Sequence, residues 1–207
     1  MPGPKAVVFD LGKVLVDFDY GIAARRIAAR GKMSAGDVQH FIEGSPLLFR
    51  FETGRMTQEQ FFAEVQCATG FDGALGEFTG FFADIFSPIE PMLRLHAALR
   101  ERGVPTYIFS NTNELAVGHI RKNFPFFSQF NSYICSYEHG AMKPEAKLYE
   151  VVEQTSRLGG SELLYLDDRP ENVAAGAARG WQAVLHESSE KSQSAVVASG
   201  LLGGPMT

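Results

Sequence analysis

Short apolar runs alternate with segments of helical periodicity along most of this 207-residue chain, and this alternation restricts the fold more than any other feature. A parallel strand pair needs a long crossover between its strands, and a helix is the usual crossover. The pattern therefore predicts an α/β fold in which a parallel sheet is flanked by helices. The predicted strands are residues 6–9, 104–109, 132–135, 163–166 and 181–185. The predicted helices are residues 91–102, 113–123, 145–158 and 170–179.

Residues 18–87, which follow the first predicted strand, carry no strand pattern. Thr57 and Gln60 have the spacing of a capping box, which marks the start of a helix. Phenylalanines at helical spacing, among them Phe78 and Phe86, indicate a further helix and are typical of the core of a small bundle. We therefore expect an all-helical module inserted between the first strand and the rest of the sheet.

Composition and charge narrow the class of function. With 45% hydrophobic and 21% charged residues, the chain can bury a substantial core and does not have the composition of a disordered protein. A net charge of −5 provides no attraction to nucleic acid or to an anionic membrane, and we expect neither partner. The apolar runs are too short for a membrane span or a signal segment, so we expect an intracellular, cytoplasmic protein.

The two cysteines, Cys67 and Cys135, lie far apart in the sequence and lack the spacing of metal ligands. We expect both to be buried small apolar side chains and neither to be a nucleophile.

Polar side chains come directly after three of the predicted strands, and after a short loop that follows a fourth. Because ligands bind beyond the carboxyl ends of strands in an open parallel sheet, these positions are candidates for chemistry. Each one alone also has an ordinary explanation as a turn residue, a helix cap or a solvated charge. Their joint occurrence in this order favours a functional site. The candidates are Asp10, Ser110, Asn111, Lys143, Asp167 and Asp168.

These residues and their surrounding motifs resemble the haloacid dehalogenase superfamily of hydrolases, in the subgroup with a helical cap after the first strand. The likeness covers nearly the whole chain, and the phrase from Leu166 to Gly176 carries it most specifically. It implies a Rossmann-like core formed by residues 1–17 and 88–207, with a helical cap formed by residues 18–87. Phe-Asp-Leu-Gly, Ser-Asn-Thr-Asn and Met-Lys-Pro-Glu-Ala-Lys-Leu-Tyr are similar to bacterial sugar-phosphate phosphatases, including α-D-glucose-1-phosphatases.

The resemblance implies that Asp10 is the nucleophile and forms an aspartyl-phosphate. Ser110 and the backbone N–H of Asn111 then orient the phosphoryl group, while Lys143 neutralises its charge. The implied substrate is a small phosphorylated metabolite. No feature of the sequence defines its identity or the oligomeric state of the protein.

Electrostatics independently call for a cation in such a site. A phosphate monoester carries about two negative charges and would meet three carboxylates in one cleft. Each pair of like charges at about 4 Å costs around 4 kcal/mol at an effective dielectric constant of 20. Oxygen ligands without His or Cys select a hard ion, most simply Mg²⁺. We assign as ligands Asp10, the backbone carbonyl of Gly12 and Asp168, with Asp167 as a direct or water-mediated helper.

Gly12 departs from the family pattern, in which a second Asp at this position protonates the leaving alcohol. Loss of such a group typically costs about 10²–10⁴-fold in rate. Three explanations are open: a substrate with a better leaving group, a substitute residue from the cap or at Lys13, or a slow or inactive enzyme. Lys13 has a simpler interpretation as a solvent-facing loop residue, although a cation there could steer phosphate.

Two other functions compete with the phosphatase. A metal-independent 2-haloacid dehalogenase would use the same Asp10, but it has no role for the acidic pair at 167 and 168. A non-catalytic phosphate-binding homologue would explain the missing acid at Gly12. Substrate preference should depend on the cap, where polar residues near Arg50, Glu52 and Arg55 either face the cleft or are ordinary solvated residues.

Overall fold

The computed structural model describes residues 3–202. The ends of the predicted core, residues 1–2 and 203–207, lie outside this range. In chain order the strands are β1 (Ala6–Phe9), β2 (Val16–Phe18), β3 (Phe86–Pro88), β4 (Thr106–Ser110), β5 (Ser132–Cys135), β6 (Leu163–Asp167) and β7 (Gln182–Leu185). The helices are α1 (Tyr20–Ala28), α2 (Ala35–Gly44), α3 (Pro46–Glu52), α4 (Gln58–Thr69), α5 (Leu75–Ala83), α6 (Glu90–Glu101), α7 (Glu114–Asn123), α8 (Ser136–His139), α9 (Ala146–Ser156), α10 (Pro170–Ala178) and α11 (Ser189–Ala198).

A five-stranded parallel sheet in the order β5-β4-β1-β6-β7 forms the centre of the fold. This confirms the predicted parallel sheet, with strand ends shifted by at most two residues. The central strand β1 is buried on both faces, as expected for an uninterrupted apolar run in a parallel sheet.

Alternate side chains of β1 enter two different cores, because successive residues of a strand point to opposite faces. Val7 and Phe9 pack with residues of α6, α7 and α11. Ala6 and Val8 pack with residues of α9 and with Trp181. The sheet is therefore covered on both faces, and only its edges and strand ends remain for binding.

Helices α1 to α5 bury a third hydrophobic cluster. It is rich in aromatic side chains, and its members include Phe51, Phe61, Phe71, Phe78 and Phe82. The capping box predicted at the start of α4 is present, with Thr57 and Gln60 each accepting a hydrogen bond from the other's backbone N–H. The predicted aromatic bundle core is confirmed.

The prediction that residues 18–87 lack strands is wrong at both ends of the segment. β2 and β3 form an antiparallel pair in which Phe18 lies opposite Phe86. Phe86 was expected in a helix, but α5 ends at Ala83 and the chain then becomes extended. Contact between the Phe18 and Phe86 rings, with centroids 6.1 Å apart, packs the pair together.

The prediction for the cysteines is correct only in part. Cys135 is buried at the end of β5, whereas Cys67 is exposed. On α4 the buried residues are Phe61, Val65 and Thr69, which recur at intervals of four, and Cys67 lies off that stripe. Among the described helices, none combines the length and apolar character that a membrane span needs.

Candidate active site

Three neighbouring strands bring the predicted acidic and polar residues to one edge of the sheet. Asp10 follows β1, Ser110 ends β4 and Asp167 ends β6, and β1 lies between the other two strands. The chain order reverses here, since β4 lies on one side of β1 and β6 on the other. Such a reversal leaves a crevice beyond the strand ends, and the candidate site occupies it.

Lys143 is the buried cation of this site. Its ammonium Nζ lies 3.0 Å from Asp10 Oδ1 and 2.7 Å from Asp167 Oδ2, and it donates a hydrogen bond of 2.8 Å to the carbonyl of Phe109. Burial by itself would lower the pKa of Lys143, but the two carboxylates outweigh burial and raise it. Lys143 is therefore held as a cation between the two acids.

Asp167 is fully enclosed, and both of its carboxylate oxygens are engaged. Oδ2 accepts from Lys143 Nζ and from the hydroxyl of Tyr165 at 2.5 Å. Oδ1 accepts from the backbone N–H of Arg169 at 2.8 Å and from Asn172 Nδ2 at 3.0 Å. Burial opposes ionisation of Asp167, but Lys143, the Tyr165 hydroxyl and the Arg169 N–H lower its pKa. Asp167 thus fixes the position of Lys143 and has little capacity left to bind a ligand directly.

Asp10 differs from Asp167 because one of its oxygens remains available. Oδ1 accepts from the backbone N–H of Leu11 at 2.6 Å and lies next to Lys143. Within residues 3–202, no hydrogen bond to Asp10 Oδ2 is present. Burial raises the pKa of Asp10 to about 8, and Asp167 and Asp168 add to the rise while Lys143 opposes it. One lysine does not compensate the crowded acids, so ionised Asp10 needs a further positive charge.

Asp10, Asp167 and Asp168 each offer a carboxylate oxygen, and these oxygens lie within 4.8 Å of one another. Asp168 is half-buried, and burial together with Asp167 raises its pKa. The donor set contains only oxygen, which fits a hard divalent cation such as Mg²⁺. Nearby, the buried Oδ1 of Asn172 has no hydrogen-bond partner among the described residues. An acceptor of this kind suits a water molecule bound in the cleft.

The loops after β4 and before α9 are joined through Asn111. Its side-chain amide donates to the carbonyl of Lys143 at 3.0 Å, and its Oδ1 accepts from the backbone N–H of Lys143 at 2.7 Å. The hydroxyl of Ser110 is buried, and among the described residues it makes one long hydrogen bond of 3.4 Å, to the carbonyl of Asn111. Ser110 and Asn111 therefore lie beside the Lys143 loop, as expected from sequence.

A cleft of about 420 Å³ opens above these groups. Its core side includes Asp10, Gly12, Lys143, Asp168 and Asn172, and its other side is formed by residues of β2 and of helices α1 to α3. The second group comprises Phe18, Tyr20, Glu43, Leu48 and Glu52. A smaller space of about 50 Å³ adjoins it and is lined by Gly12, Phe18, Glu52, Ser110 and Asn111, among others. Five of the six predicted candidates thus line the cleft or the space that adjoins it, whereas Asp167 is fully buried and lines neither.

Lys13 was interpreted from sequence either as a solvent-facing loop residue or as a cation near the phosphate, and the structure has features of both. It is exposed and has a positive φ of 59°. Its ammonium forms an ion pair of 2.5 Å with Asp17, donates to the carbonyl of Phe18 at 2.8 Å and lies 4.6 Å from the centre of the Phe18 ring. Lys13 also lines the cleft, and its charge is partly neutralised by Asp17.

The three polar cap residues named from sequence have different environments. Arg50 pairs with Glu64 at 2.5 Å, and the Arg55 guanidinium lies over the Phe49 ring. Neither arginine lines the cleft, whereas Glu52 does.

Sequence reasoning missed two residues that support the site and one helix that lines the cleft. Tyr165 and Asn172 both hold Asp167, and Asn172 could have been found because it belongs to the same polar phrase as the acidic pair. Helix α3, which carries Glu52, was also missed. Its signal was the pair Ser45-Pro46, since Ser45 caps the helix and Pro46 occupies its first turn.

Comparison with known proteins identifies relatives of similar length. The sesquiterpene phosphatase astK of Aspergillus oryzae is 25% identical over 85% of this chain and 86% of its own length. The D-ribitol-5-phosphate phosphatase of Bacteroides thetaiotaomicron is 22% identical over 89% of this chain and 92% of its own length.

Solved structures share the same fold. A crystal structure of a HAD family enzyme from Bacteroides thetaiotaomicron, in complex with magnesium and inorganic phosphate, has a TM-score of 0.77 at 21% identity and covers 88% of this chain and 94% of its own. Residues 4–180 match the sequence model of the haloacid dehalogenase-like hydrolases. With most of its length inside that match, the chain belongs to the haloacid dehalogenase-like hydrolase family.

Proposed function

We propose that this protein is a Mg²⁺-dependent phosphatase that hydrolyses a small phosphate monoester through an aspartyl-phosphate on Asp10. The observation that carries the proposal is the contrast between two buried acids. Both oxygens of Asp167 are saturated by hydrogen bonds, whereas Asp10 lines the cleft and keeps one oxygen without such a partner. Asp10 is the carboxylate that is fixed in place and still able to form a bond.

The proposed metal ligands are the carboxylates of Asp10 and Asp168 and the backbone carbonyl of Gly12. Asp167 would act through water and through Lys143, because its oxygens already accept four kinds of donor. When bound, Mg²⁺ would offset the negative charge of the carboxylates and of the phosphate. The phosphatases among the relatives and the magnesium-bound neighbour support this assignment.

In the proposed reaction, Asp10 attacks phosphorus and the bond from phosphorus to the leaving oxygen breaks. Lys143 holds the Asp10 carboxylate in place, since its ammonium lies 3.0 Å from Oδ1. Ser110 and the backbone N–H of Asn111 orient the phosphoryl oxygens at the end of β4. Water then attacks phosphorus of the aspartyl-phosphate, which releases inorganic phosphate and restores Asp10.

A sugar or polyol phosphate, such as α-D-glucose 1-phosphate, is the proposed substrate. The cleft of about 420 Å³ has room for a small metabolite, and its lining includes groups that bond hydroxyls, such as Tyr20 and Arg169. Phosphorylated metabolites are charged and stay inside the cell that makes them, which supports the cytoplasm as the site of action.

Two other functions compete with the phosphatase. A 2-haloacid dehalogenase would use Asp10 in the same way, but the crowding of Asp10 by Asp167 and Asp168 disfavours an anionic substrate without a metal. A non-catalytic phosphate-binding protein would account for the absence of a proton donor at Gly12.

One assay separates the three functions. The purified protein is incubated with p-nitrophenyl phosphate in Mg²⁺ or in EDTA, and in parallel with 2-chloropropionate. The phosphatase releases p-nitrophenolate only with Mg²⁺ and releases no chloride. Chloride release in EDTA would establish the dehalogenase, and phosphate binding without turnover would establish the binding protein. A panel of sugar and polyol phosphates, beginning with α-D-glucose 1-phosphate, then defines the substrate.

A further inference from the structure

The leaving alcohol of a phosphate monoester needs a proton, and residue 12 cannot supply one. An alkoxide is a poor leaving group, so a positioned acid typically contributes about 10²–10⁴-fold to such a step. Gly12 has no side chain, and a Cβ built at this position would lie 2.8 Å from Cε1 of Phe18. The Phe18 ring therefore occupies the space that a side chain at position 12 would enter.

Glu52 is the carboxyl group that lies near this position, on the cap side of the cleft. It ends helix α3 and lines the main cleft together with Asp10, Lys143 and Asp168. It also lines the smaller adjoining space with Gly12 and Phe18. Among the described carboxyl groups, Glu52 alone lines both the main cleft and the smaller space. It therefore lies close to the position from which a side chain at residue 12 would donate its proton.

Glu52 is half-buried, and within residues 3–202 its carboxyl makes no hydrogen bond or salt bridge. Tyr20 from α1 and Arg169 from the loop after β6 lie close enough to Glu52 to interact with its charge. The other titratable groups that line the cleft are Asp10, Lys13, Glu43, Lys143, Asp168 and Glu171. Burial raises the pKa of Glu52 to about 7, and the positive charge of Arg169 limits the rise. A carboxyl with this pKa exists in both protonation states near neutral pH.

We propose that Glu52 is the proton-transfer residue of the reaction and takes the place of a side chain at position 12. This inference rests on the phosphatase function proposed above. It assigns a catalytic role to the cap helix α3, which the sequence pattern did not reveal.

The proton and electron pairs balance in both steps. As the Asp10 oxygen bonds to phosphorus, the bond from phosphorus to the alcohol oxygen breaks, and Glu52 gives its proton to that oxygen. Glu52 is then a carboxylate. It removes a proton from the water that attacks phosphorus, the bond between phosphorus and Asp10 breaks, and Glu52 ends protonated as it began.

A pair of substrates that differ in leaving group tests the inference. p-Nitrophenolate departs without a proton, whereas the more basic phenolate of phenyl phosphate benefits from one. In Glu52→Gln we expect the single-turnover rate of alcohol release to fall about 10²-fold for phenyl phosphate and less than about tenfold for p-nitrophenyl phosphate. Glu52→Asp keeps a carboxyl and should recover part of the phenyl phosphate rate.

Glu43→Gln is the matched control, because it removes an acid from the same cleft wall. It should leave the ratio of the two substrate rates unchanged. In the wild type, kcat/KM for phenyl phosphate should fall above pH 7 as the acid loses its proton, and this decline should be absent in Glu52→Gln.

The outcomes separate the two proposals. If wild-type protein releases p-nitrophenolate with Mg²⁺ but Glu52→Gln slows both substrates equally or neither, the role of Glu52 is refuted while the phosphatase stands. If wild-type protein releases nothing from either ester, the proposed function fails and the role of Glu52 fails with it. Circular dichroism and thermal unfolding of Glu52→Gln establish that the variant is folded in either case.

Discussion

The ammonium of Lys143 lies 2.7 Å from Asp167 Oδ2, and both side chains are closed off from solvent. Removing one partner of a buried pair leaves an uncompensated charge, which costs about 3–5 kcal/mol. Lys143→Met should therefore lower the free energy of unfolding by that amount and abolish phosphate release. Chemical denaturation and a phosphate assay measure the two effects.

A second substitution separates the two roles of Lys143. In the double variant Lys143→Met with Asp167→Asn, the unpaired carboxylate is gone, so part of the lost stability should return while activity stays absent. Additive losses in the double-mutant cycle would show that the pair is not coupled.

Asp10→Asn should remove the covalent step and leave the fold intact. The side chain keeps its size, and the Leu11 N–H can still donate to its oxygen. Mass spectrometry of acid-quenched wild-type protein should detect a phosphoryl group on the peptide that contains Asp10, and the variant should lack it. Asp37→Asn, on the surface of α2, is the control. A phosphorylated Asp10→Asn protein would assign the nucleophile elsewhere.

Mg²⁺ should stabilise the folded protein in a way that depends on Asp168. A ligand at a hundredfold excess over its Kd adds about 3 kcal/mol to the free energy of unfolding. Denaturant unfolding with and without Mg²⁺ should show this gain in the wild type and little of it in Asp168→Asn. Glu171→Gln also removes an acid near the cleft, but one that pairs with Arg169 at 2.6 Å, and it should keep the gain. Equal gains in all three proteins would contradict the proposed ligand set.

Gly12 and Phe18 should be energetically coupled. A methyl group at position 12 would crowd Phe18, and overpacking of this kind costs about 1–3 kcal/mol. Gly12→Ala should therefore lower stability in the wild-type background but not in a Phe18→Ala background. Thermal unfolding of the four proteins in this cycle measures the coupling, and equal losses in both backgrounds would mean that the ring moves aside without cost.

His96 should make the fold sensitive to mild acid. It stacks on Phe130 with ring centroids 3.9 Å apart and hydrogen-bonds to Thr106, and burial together with Arg100 lowers its pKa to about 4. Below pH 6.5 His96 is protonated in the unfolded chain, whereas in the folded chain it stays neutral down to about pH 4. The free energy of unfolding therefore falls as the pH falls from 6.5 to 4. Between pH 6.5 and 5 the loss is about 2 kcal/mol.

The comparison for this effect is His96→Gln, which keeps a polar partner for Thr106. Its free energy of unfolding should decline less steeply over the same pH interval. Parallel stability curves for the two proteins would assign the acid sensitivity to other groups.

The core side of the site could be predicted from sequence because each of its residues lies at the end of a strand that the local sequence pattern identifies. Asp10, Ser110 and Asp167 each come directly after or at the end of a buried apolar strand, and a parallel sheet aligns such ends. The proximity of Asp10 to Asp168 follows from this topology without knowledge of any loop.

The cap side could not be predicted in the same way. Glu52 reaches the cleft only because α3 packs through Leu47 and Phe51 into the aromatic cluster, and that orientation depends on contacts distant in sequence. Phe18 lies in a strand of three residues, which is too short to give a periodic signal. The position of both residues is thus a product of tertiary packing.

The pairing of β2 with β3 has a consequence for how this protein could change its substrate. The peptide leaves the sheet along β2 and returns along β3, so the two attachment points of α1 to α5 are adjacent. A segment whose two ends are adjacent can be replaced by one of another length, because the distance between its attachment points on the core stays the same. Chimeras that replace the segment between β2 and β3 with that of a relative, and keep a carboxyl at the position of Glu52, should thus alter which alcohol is accepted while Asp10 stays where it is.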